Sequence, residues 1–429
     1  SSRAVMMPSC SSLVSPRLMS RAASSLTKDL NRIDIRKMKR ANCAVYGYGL
    51  SASGALAIPA LVVQDNFVTS RETHKPLRIA YCNLREIRRV ASGFGFSLFA
   101  SRNKIYGAGL NNKFQIAGSV SPDAKGGKEE YYISGRRVGG FPEGEKVVAI
   151  AAGRAHSLAI VGDKVYAWGD NMFGQCGVHP DLVEQVVASG DSSLLPPVAL
   201  PSASAPIAVH CLLDTSFVLT ADGKVYAFGL NEDGQCANGE YGIQPTPALV
   251  QGDAASVKIV KLAGSTDTAF AIGDNGQVFV WGQNEYGQAG PAFEDDIQLS
   301  TSRALSFDLP KIVDTAASAT TCAALTQDGQ LLTWGVGTVG LGPDVAALKK
   351  PTLMPQQLFD GHKISRVFGG NVSMAAVNEE GNMFVWGQNR YGHLGLGHTK
   401  DQFFPFPLFF QEDVKDVSIG PDHTLVVAK

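Results

Sequence analysis

Along this chain, short apolar strands bounded by glycine and asparagine alternate with polar loops, and no sustained 3.6-residue period links them. One five-residue segment recurs seven times: Val45-Tyr-Gly-Tyr-Gly49, Ile105-Tyr-Gly-Ala-Gly109, Val165-Tyr-Ala-Trp-Gly169, Val225-Tyr-Ala-Phe-Gly229, Val278-Phe-Val-Trp-Gly282, Leu331-Leu-Thr-Trp-Gly335 and Met383-Phe-Val-Trp-Gly387. The closing glycines are 60, 60, 60, 53, 53 and 52 residues apart. All four tryptophans (Trp168, Trp281, Trp334, Trp386) fill the slot before that glycine, which marks a repeated packing position.

Asparagine stands two residues beyond the glycine at Asn111, Asn171, Asn231, Asn284 and Asn389. Glycine stands five beyond it at Gly54, Gly174, Gly234, Gly287, Gly340 and Gly392. Both residues accept positive φ, so the pattern predicts a tight turn after each strand. A second signature, Gly-x-x-x before an apolar run, precedes each segment, as in Gly153-Arg-Ala-His-Ser-Leu-Ala-Ile160 and Gly420-Pro-Asp-His-Thr-Leu-Val-Val427. Counting from that glycine, one slot holds Phe96, His156, Thr215, Asp267, Thr321, Val372 and His423. A slot that takes Phe and Val serves packing and turn hydrogen bonds, not acid–base chemistry.

Each repeat therefore predicts a small antiparallel sheet, and seven such sheets bury both faces only by stacking radially. The expectation is an all-β, seven-bladed β-propeller over residues 41–429. The region opens on one half of the signature and ends on the other, so pairing of the N- and C-terminal strands closes the ring and removes exposed sheet edges.

Residues 1–40 read as a separate region. They carry nine basic and two acidic groups, and Leu18, Ala22 and Leu26 form an apolar stripe beside Arg17 and Arg21. This is the composition of a mitochondrial presequence and linker, cut between residues 20 and 40; an ordinary N-terminal tail is the alternative. The net charge of −1 hides an asymmetry: residues 1–150 sum to +13 and residues 151–429 to −14. Seven scattered cysteines argue against a disulfide scaffold. No apolar run approaches the ~18 residues of a membrane-spanning helix.

Over residues 42–429 the repeats resemble the regulator of chromosome condensation family. Gly49-Leu-Ser-Ala-Ser-Gly-Ala-Leu-Ala-Ile-Pro59, Asp401-Gln-Phe-Phe-Pro405 and Gly420-Pro-Asp-His423 are similar to its mitochondrial branch. The resemblance implies a mitochondrial location, in the matrix or on the matrix side of the inner membrane with peripheral association there. It implies a non-catalytic scaffold that supports mitochondrial ribosome biogenesis through rRNA and ribosome-assembly proteins. The alternative it carries is a guanine-nucleotide exchange factor for a mitochondrial dynamin-like fusion GTPase.

Motifs for covalent chemistry are weak. Gly335-Val-Gly-Thr-Val-Gly340 matches the dinucleotide fingerprint, but its outer glycines are the strand-closing and turn glycines of the repeat, and no helix pattern follows. There is no Gly-x-x-x-x-Gly-Lys-Ser/Thr, no Cys-x-x-Cys and no His-x-x-x-His, so neither a cofactor nor a metal is expected. His210 and Cys211 are neighbours on a strand and should face opposite ways. Surfaces remain. Arg71, Lys75, Arg78, Arg85, Arg88, Arg89, Arg136 and Arg137 form the candidate surface for RNA phosphates or a protein partner. In the family, a loop wedge opens a GTPase nucleotide site. The insertion at 126–137, with Lys128, Glu129 and Glu130, is the candidate counterpart, an idle surface loop being the alternative.

Overall fold

The computed structural model describes residues 43–62, 71–116, 131–181, 196–305 and 310–429; the presequence region lies outside them. The strands form six four-stranded antiparallel sheets and one three-stranded sheet. Blade one comprises Arg89–Ser92, Phe96–Ala100, Ile105–Leu110 and Tyr131–Arg137, from the centre outward; blade two comprises Val147–Ala152, His156–Val161 and Lys164–Gly169. Blades three to six run through Pro206–Leu249, Ile259–Ala304, Ile312–Leu353 and Ile364–Leu408 in the same order. Blade seven joins the two ends of the region: Val414–Ile419 and His423–Ala428 are its inner strands, Ala44–Leu50 and Glu72–Arg78 its outer ones. Ala44 pairs with Ala428 and Gly49 with His423, so the expected closure is present.

The recurring segment is the third strand of every blade. Its closing glycine has φ between 88° and 123° in all seven cases. A Cβ there would lie 2.2–2.7 Å from a carbonyl oxygen of the loop that leads into the second strand. Both facts exclude any other residue without backbone displacement. The asparagine that follows organises the turn: Oδ1 of Asn111, Asn171, Asn231, Asn284 and Asn389 accepts the backbone N–H five residues on, at 2.7–2.9 Å. The turn then reaches the next blade. Trp168, Trp281 and Trp334 donate Nε1–H to the carbonyls of Gln115, Gln235 and Gln288 at 2.8–2.9 Å, satisfying the polar atom of a buried indole. At Gly335–Gly340 the turn asparagine and glutamine are both replaced, and the Nε1 of Trp386, in the blade that follows, is left without a partner. Residues 335–340 end a strand and enter a loop, and the next ordered element is the strand Ala347–Leu353.

Two details depart from the sequence reading. Opposite the closing glycines stand Phe96, His156, Thr215, Thr268, Thr321, Ser373 and His423. In blades four and six the slot is thus one residue later than Asp267 and Val372. The anchor of the hairpin is Ser265 in one and Gly370 in the other, not the glycines Gly264 and Gly369 that precede them. The turn-glycine position of blade one is held by Phe114, at φ 61°. In four other blades that glycine lies under the outer strand of the next blade: a Cβ on Gly54, Gly174, Gly234 or Gly392 would be 2.2–2.6 Å from an atom of that strand, whereas one on Gly287 would meet nothing within 4 Å and one on Gly340 would meet Met354 and Trp386. Blade two has no such strand among the described residues, and a phenylalanine fits.

Inner strands from all seven blades surround a central cavity of about 340 Å³. At one mouth, equivalent positions of blades four, five, six, seven and one carry Lys261, Asp314, Arg366, Asp416 and Arg89, a belt of alternating charge. Lys261 bonds Asp314, while Asp314 and Asp416 also accept the backbone N–H groups of Val367 and Val90, at 3.3 and 3.1 Å. Burial nevertheless pushes the Asp416 carboxyl up to about 6, against the pull of Arg89 and Arg366. Ala149 and Ala208 fill the same position in blades two and three. His210 and Cys211 do face opposite ways: His210 meets the Phe217 ring, and Cys211 packs on the core shared with blade two.

Candidate nucleic-acid interface

Strand direction gives the propeller two unlike ends. At the turn end lie the asparagine turns and the hairpins into the second strands. At the connection end, each outer strand hands over to the next inner strand.

The basic residues singled out in sequence divide between these ends. Register places Arg78 and Arg137 at the connection end of their strands, opposite Tyr46 and Tyr106. The connection 79–88, from blade seven to blade one, carries Arg85 and Arg88, and Arg89 begins the strand after it. These residues converge on aromatic rings. The Arg85 guanidinium lies 3.6 Å from the Tyr81 ring centroid and 5.4 Å from that of Tyr106, and it donates to the Tyr81 carbonyl. Tyr81 meets Tyr106 edge-on at 5.9 Å and packs on the backbone of Gly135, which has no side chain to obstruct it. Arg136 covers Tyr132 at 4.9 Å. Burial pushes the Tyr81 phenol up to about 12 despite Arg85, so the ring stays neutral beneath the guanidinium.

Arg78, Arg88, Arg89 and Arg137 are exposed around these rings, whereas Arg85 and Arg136 are half-buried. Their acidic neighbours are thin: Glu86 is 4.0 Å from Arg88 and Glu143 is 3.7 Å from Arg137. Arg78 is oriented by Asn83, 3.1 Å away. The structure does not bring Arg71 and Lys75 into this cluster. Arg71 stands at the turn end, where its carbonyl accepts Ser51 N–H, and Lys75 lies over Gly397 of blade six. The tyrosines are what charge counting missed; Tyr81 and Tyr106 are distant in sequence, and only their shared approach to Arg85 identifies them.

At the turn end the sign reverses. Asp170, Asp214, Glu232, Asp233, Asp267 and Glu285 of blades two to four are close enough to perturb one another. Arg154 pairs with buried Asp214 at 2.9 Å. Burial still pushes that carboxyl up to about 6, and it raises Asp233 and Asp267 as well. The Tyr131–Arg137 strand starts at this end. The residues named just before it for an exchange loop, Lys128, Glu129 and Glu130, lie outside the described residues.

One grouping imitates a hydrolase triad. Asp422 Oδ1 is 2.7 Å from His423 Nδ1, and His423 Nε2 is 2.7 Å from Ser97 Oγ. Ser97 and His423 are completely buried, and the same link recurs as His156 Nε2 to Ser216 Oγ at 3.0 Å. It clasps neighbouring blades. Among the described residues no group of three or more His, Cys, Asp or Glu could hold a metal, and no helix is long and apolar enough to cross a membrane.

Sequence profiles described as the regulator of chromosome condensation (RCC1) repeat match residues 222–272 and 380–427, and 147–175 and 259–288. The human RCC1-like G exchanging factor-like protein is 32% identical over 406 residues, covering 90% of this chain and 86% of that protein; the mouse protein is 33% identical over the same length. The crystal structure of human WBSCR16 superposes with a TM-score of 0.81 at 31% identity, over 90% of this chain and all of that one. Prp20p of Saccharomyces cerevisiae, described with its binding to Gsp1p and histones, has a TM-score of 0.73 at 20% identity and shares the fold, over 90% of this chain and 91% of its own. This chain belongs to the regulator of chromosome condensation family, among its RCC1-like G exchanging factor-like proteins.

Proposed function

We propose that this exchange-factor-like propeller is a non-catalytic mitochondrial scaffold that binds rRNA and ribosome-assembly proteins and so supports mitochondrial ribosome biogenesis. The observation that carries the RNA contact is the arginine–tyrosine cluster of blades seven and one. Guanidinium groups neutralise phosphates without reading sequence, and the tyrosine rings hold Arg85 and Arg136 in place for that contact. Purified protein mixed with single-stranded rRNA fragments tests it. Six arginines at full contact give a slope of about −4 for log affinity against log salt. Arg78→Glu, Arg88→Glu and Arg137→Glu combined should remove binding with little change in Tm, because all three are exposed. Arg85 and Arg89 are poorer choices, since one holds Tyr81 and the other belongs to the charge belt. Salt-independent binding would reject the reading, as would binding that survives the triple variant.

A second reading, exchange on a mitochondrial dynamin-like fusion GTPase, is favoured by the names of the relatives and by the acidic turn end. Carboxylates there suit a basic protein surface and repel phosphates, which separates this partner from RNA. Release of labelled nucleotide from the purified GTPase measures it, and no acceleration at micromolar protein would reject it.

A further inference from the structure

Between blades one and two, at the connection end, lies a cavity of about 300 Å³, the lower limit of pockets that hold small ligands. Its origin is local. The connections after blades three, five and seven each contain a single 3-10 turn, Asp253–Ser256, Gln356–Phe359 and Ala80–Cys82, that buries Ala254, Phe359 or Cys82. The connection 138–146 has no such turn and contains Gly139-Gly140 instead. Phe141 does what Phe359 does after blade five. It meets Tyr166 at 5.3 Å and Trp168 at 5.5 Å, as Phe359 meets Phe384 at 5.5 Å and Trp386 at 6.3 Å. Beside it the two glycines leave space, and a Cβ on Gly139 would touch nothing within 4 Å.

The lining is divided by chemistry. Buried Ile105, Val138, Val147 and Val161 make an apolar floor, and Phe141 is an aromatic wall held by its neighbours. Exposed Asn103, Lys104, Arg137 and Glu143 stand at the rim. Arg137 belongs to the arginine–tyrosine cluster too, so cavity and cluster are one continuous surface. The apolar floor and aromatic wall suit a flat ring, and Lys104 and Arg137 at the mouth suit a phosphate attached to it, with Arg137 shared with Glu143 at 3.7 Å.

The geometry points to a subsite for one unstacked nucleobase of a single-stranded RNA, with its phosphate held at Lys104 and Arg137. This rests on the RNA reading above and adds where a base is held. The floor and the aromatic wall offer area to any base, and no buried side chain of the lining presents a base-edge partner, so the subsite accepts any base.

The test uses the full chain and a short RNA carrying one 2-aminopurine, whose fluorescence rises when the base leaves the stack. Gly139→Leu fills the cavity at a position with open space and without positive φ, and its Tm reports folding. Wild type should give the fluorescence rise. Gly139→Leu should lose it and bind about tenfold more weakly, the scale of one stacked base, while an abasic RNA should bind both proteins equally. Lys104→Glu, a rim change that leaves the floor intact, should weaken binding of normal and abasic RNA alike. Equal fluorescence and affinity for Gly139→Leu and wild type overturn the subsite and leave the RNA reading standing. No RNA binding by wild type at low salt overturns both. Adenosine monophosphate binding as tightly as the oligonucleotide overturns a strand as the occupant.

Discussion

The turn end and the connection end of this propeller follow different rules. At the turn end one solution recurs: a closing glycine in all seven blades, an asparagine turn in five, and a carbonyl offered to the next blade's indole in three. At the connection end each crossing differs, with a tyrosine–arginine pair after blade seven, a glycine pair after blade one and a buried phenylalanine after blade five. Backbone groups that must be satisfied in the same way in blade after blade leave little freedom. Connections that need only cover a hydrophobic edge leave much more, and distinct binding chemistry is found there. The acidic residues of the turn end are added to that framework without altering it.

The largest effect should come from the repeated side. Gly335→Ala places a Cβ 2.2 Å from the Thr320 carbonyl oxygen at φ 105°. Backbone strain of about 1–3 kcal/mol and overpacking of similar size predict a loss of about 3–5 kcal/mol. Urea unfolding would measure it; a loss below 1 kcal/mol would mean the closing glycine is replaceable and the comparison overdrawn. Asn284→Ala is the next step down. It removes an acceptor for Ala289 N–H at 2.7 Å and donors to the Phe293 and Asp296 carbonyls at 2.9 and 2.7 Å. At about 1 kcal/mol per bond, a loss of about 2–3 kcal/mol is expected. An unchanged midpoint would show that the turn is held by its glycine alone.

How much the sequence reveals follows the same division. Blade number, ring closure and the turn chemistry are legible because the constraint repeats, and four tryptophans in register exclude coincidence. The hairpin slots of blades four and six are misplaced by one because Gly264 and Gly369 resemble the anchor that Ser265 and Gly370 occupy. Phe114 gives no hint that it stands in a glycine position; that depends on a neighbouring strand absent among the described residues of blade two. At the connection end the arginines are visible as charge. Their division between two ends, the tyrosines beneath them and the cavity beside Gly139 arise from contacts between blades, which no local pattern encodes.

The smallest effect sharpens the comparison from inside the repeat. His156 occupies a slot where Thr215 and Thr268 donate to a backbone carbonyl beyond the closing glycine, at 2.6 and 2.7 Å. Burial lowers the His156 pKa to about 3, so the ring is neutral in the fold and takes a proton only on unfolding. Its folded value lies below the unfolded 6.5. The stability contribution is therefore complete above about pH 6.5 and is lost as pH falls toward 3, at about 1.4 kcal/mol per unit. His156→Thr inserts the residue used by blades three and four, at a cost of about 1–2 kcal/mol at pH 7.5 from the lost Ser216 contact and volume. That deficit should close near pH 5, where the wild type has lost a similar amount. His210 and His393, whose pKa values burial lowers to about 4, keep part of the acid sensitivity in both proteins. Parallel stability curves between pH 7.5 and 5 would show that the slot is not titrating, and that a histidine there behaves no differently from the threonines of its neighbours.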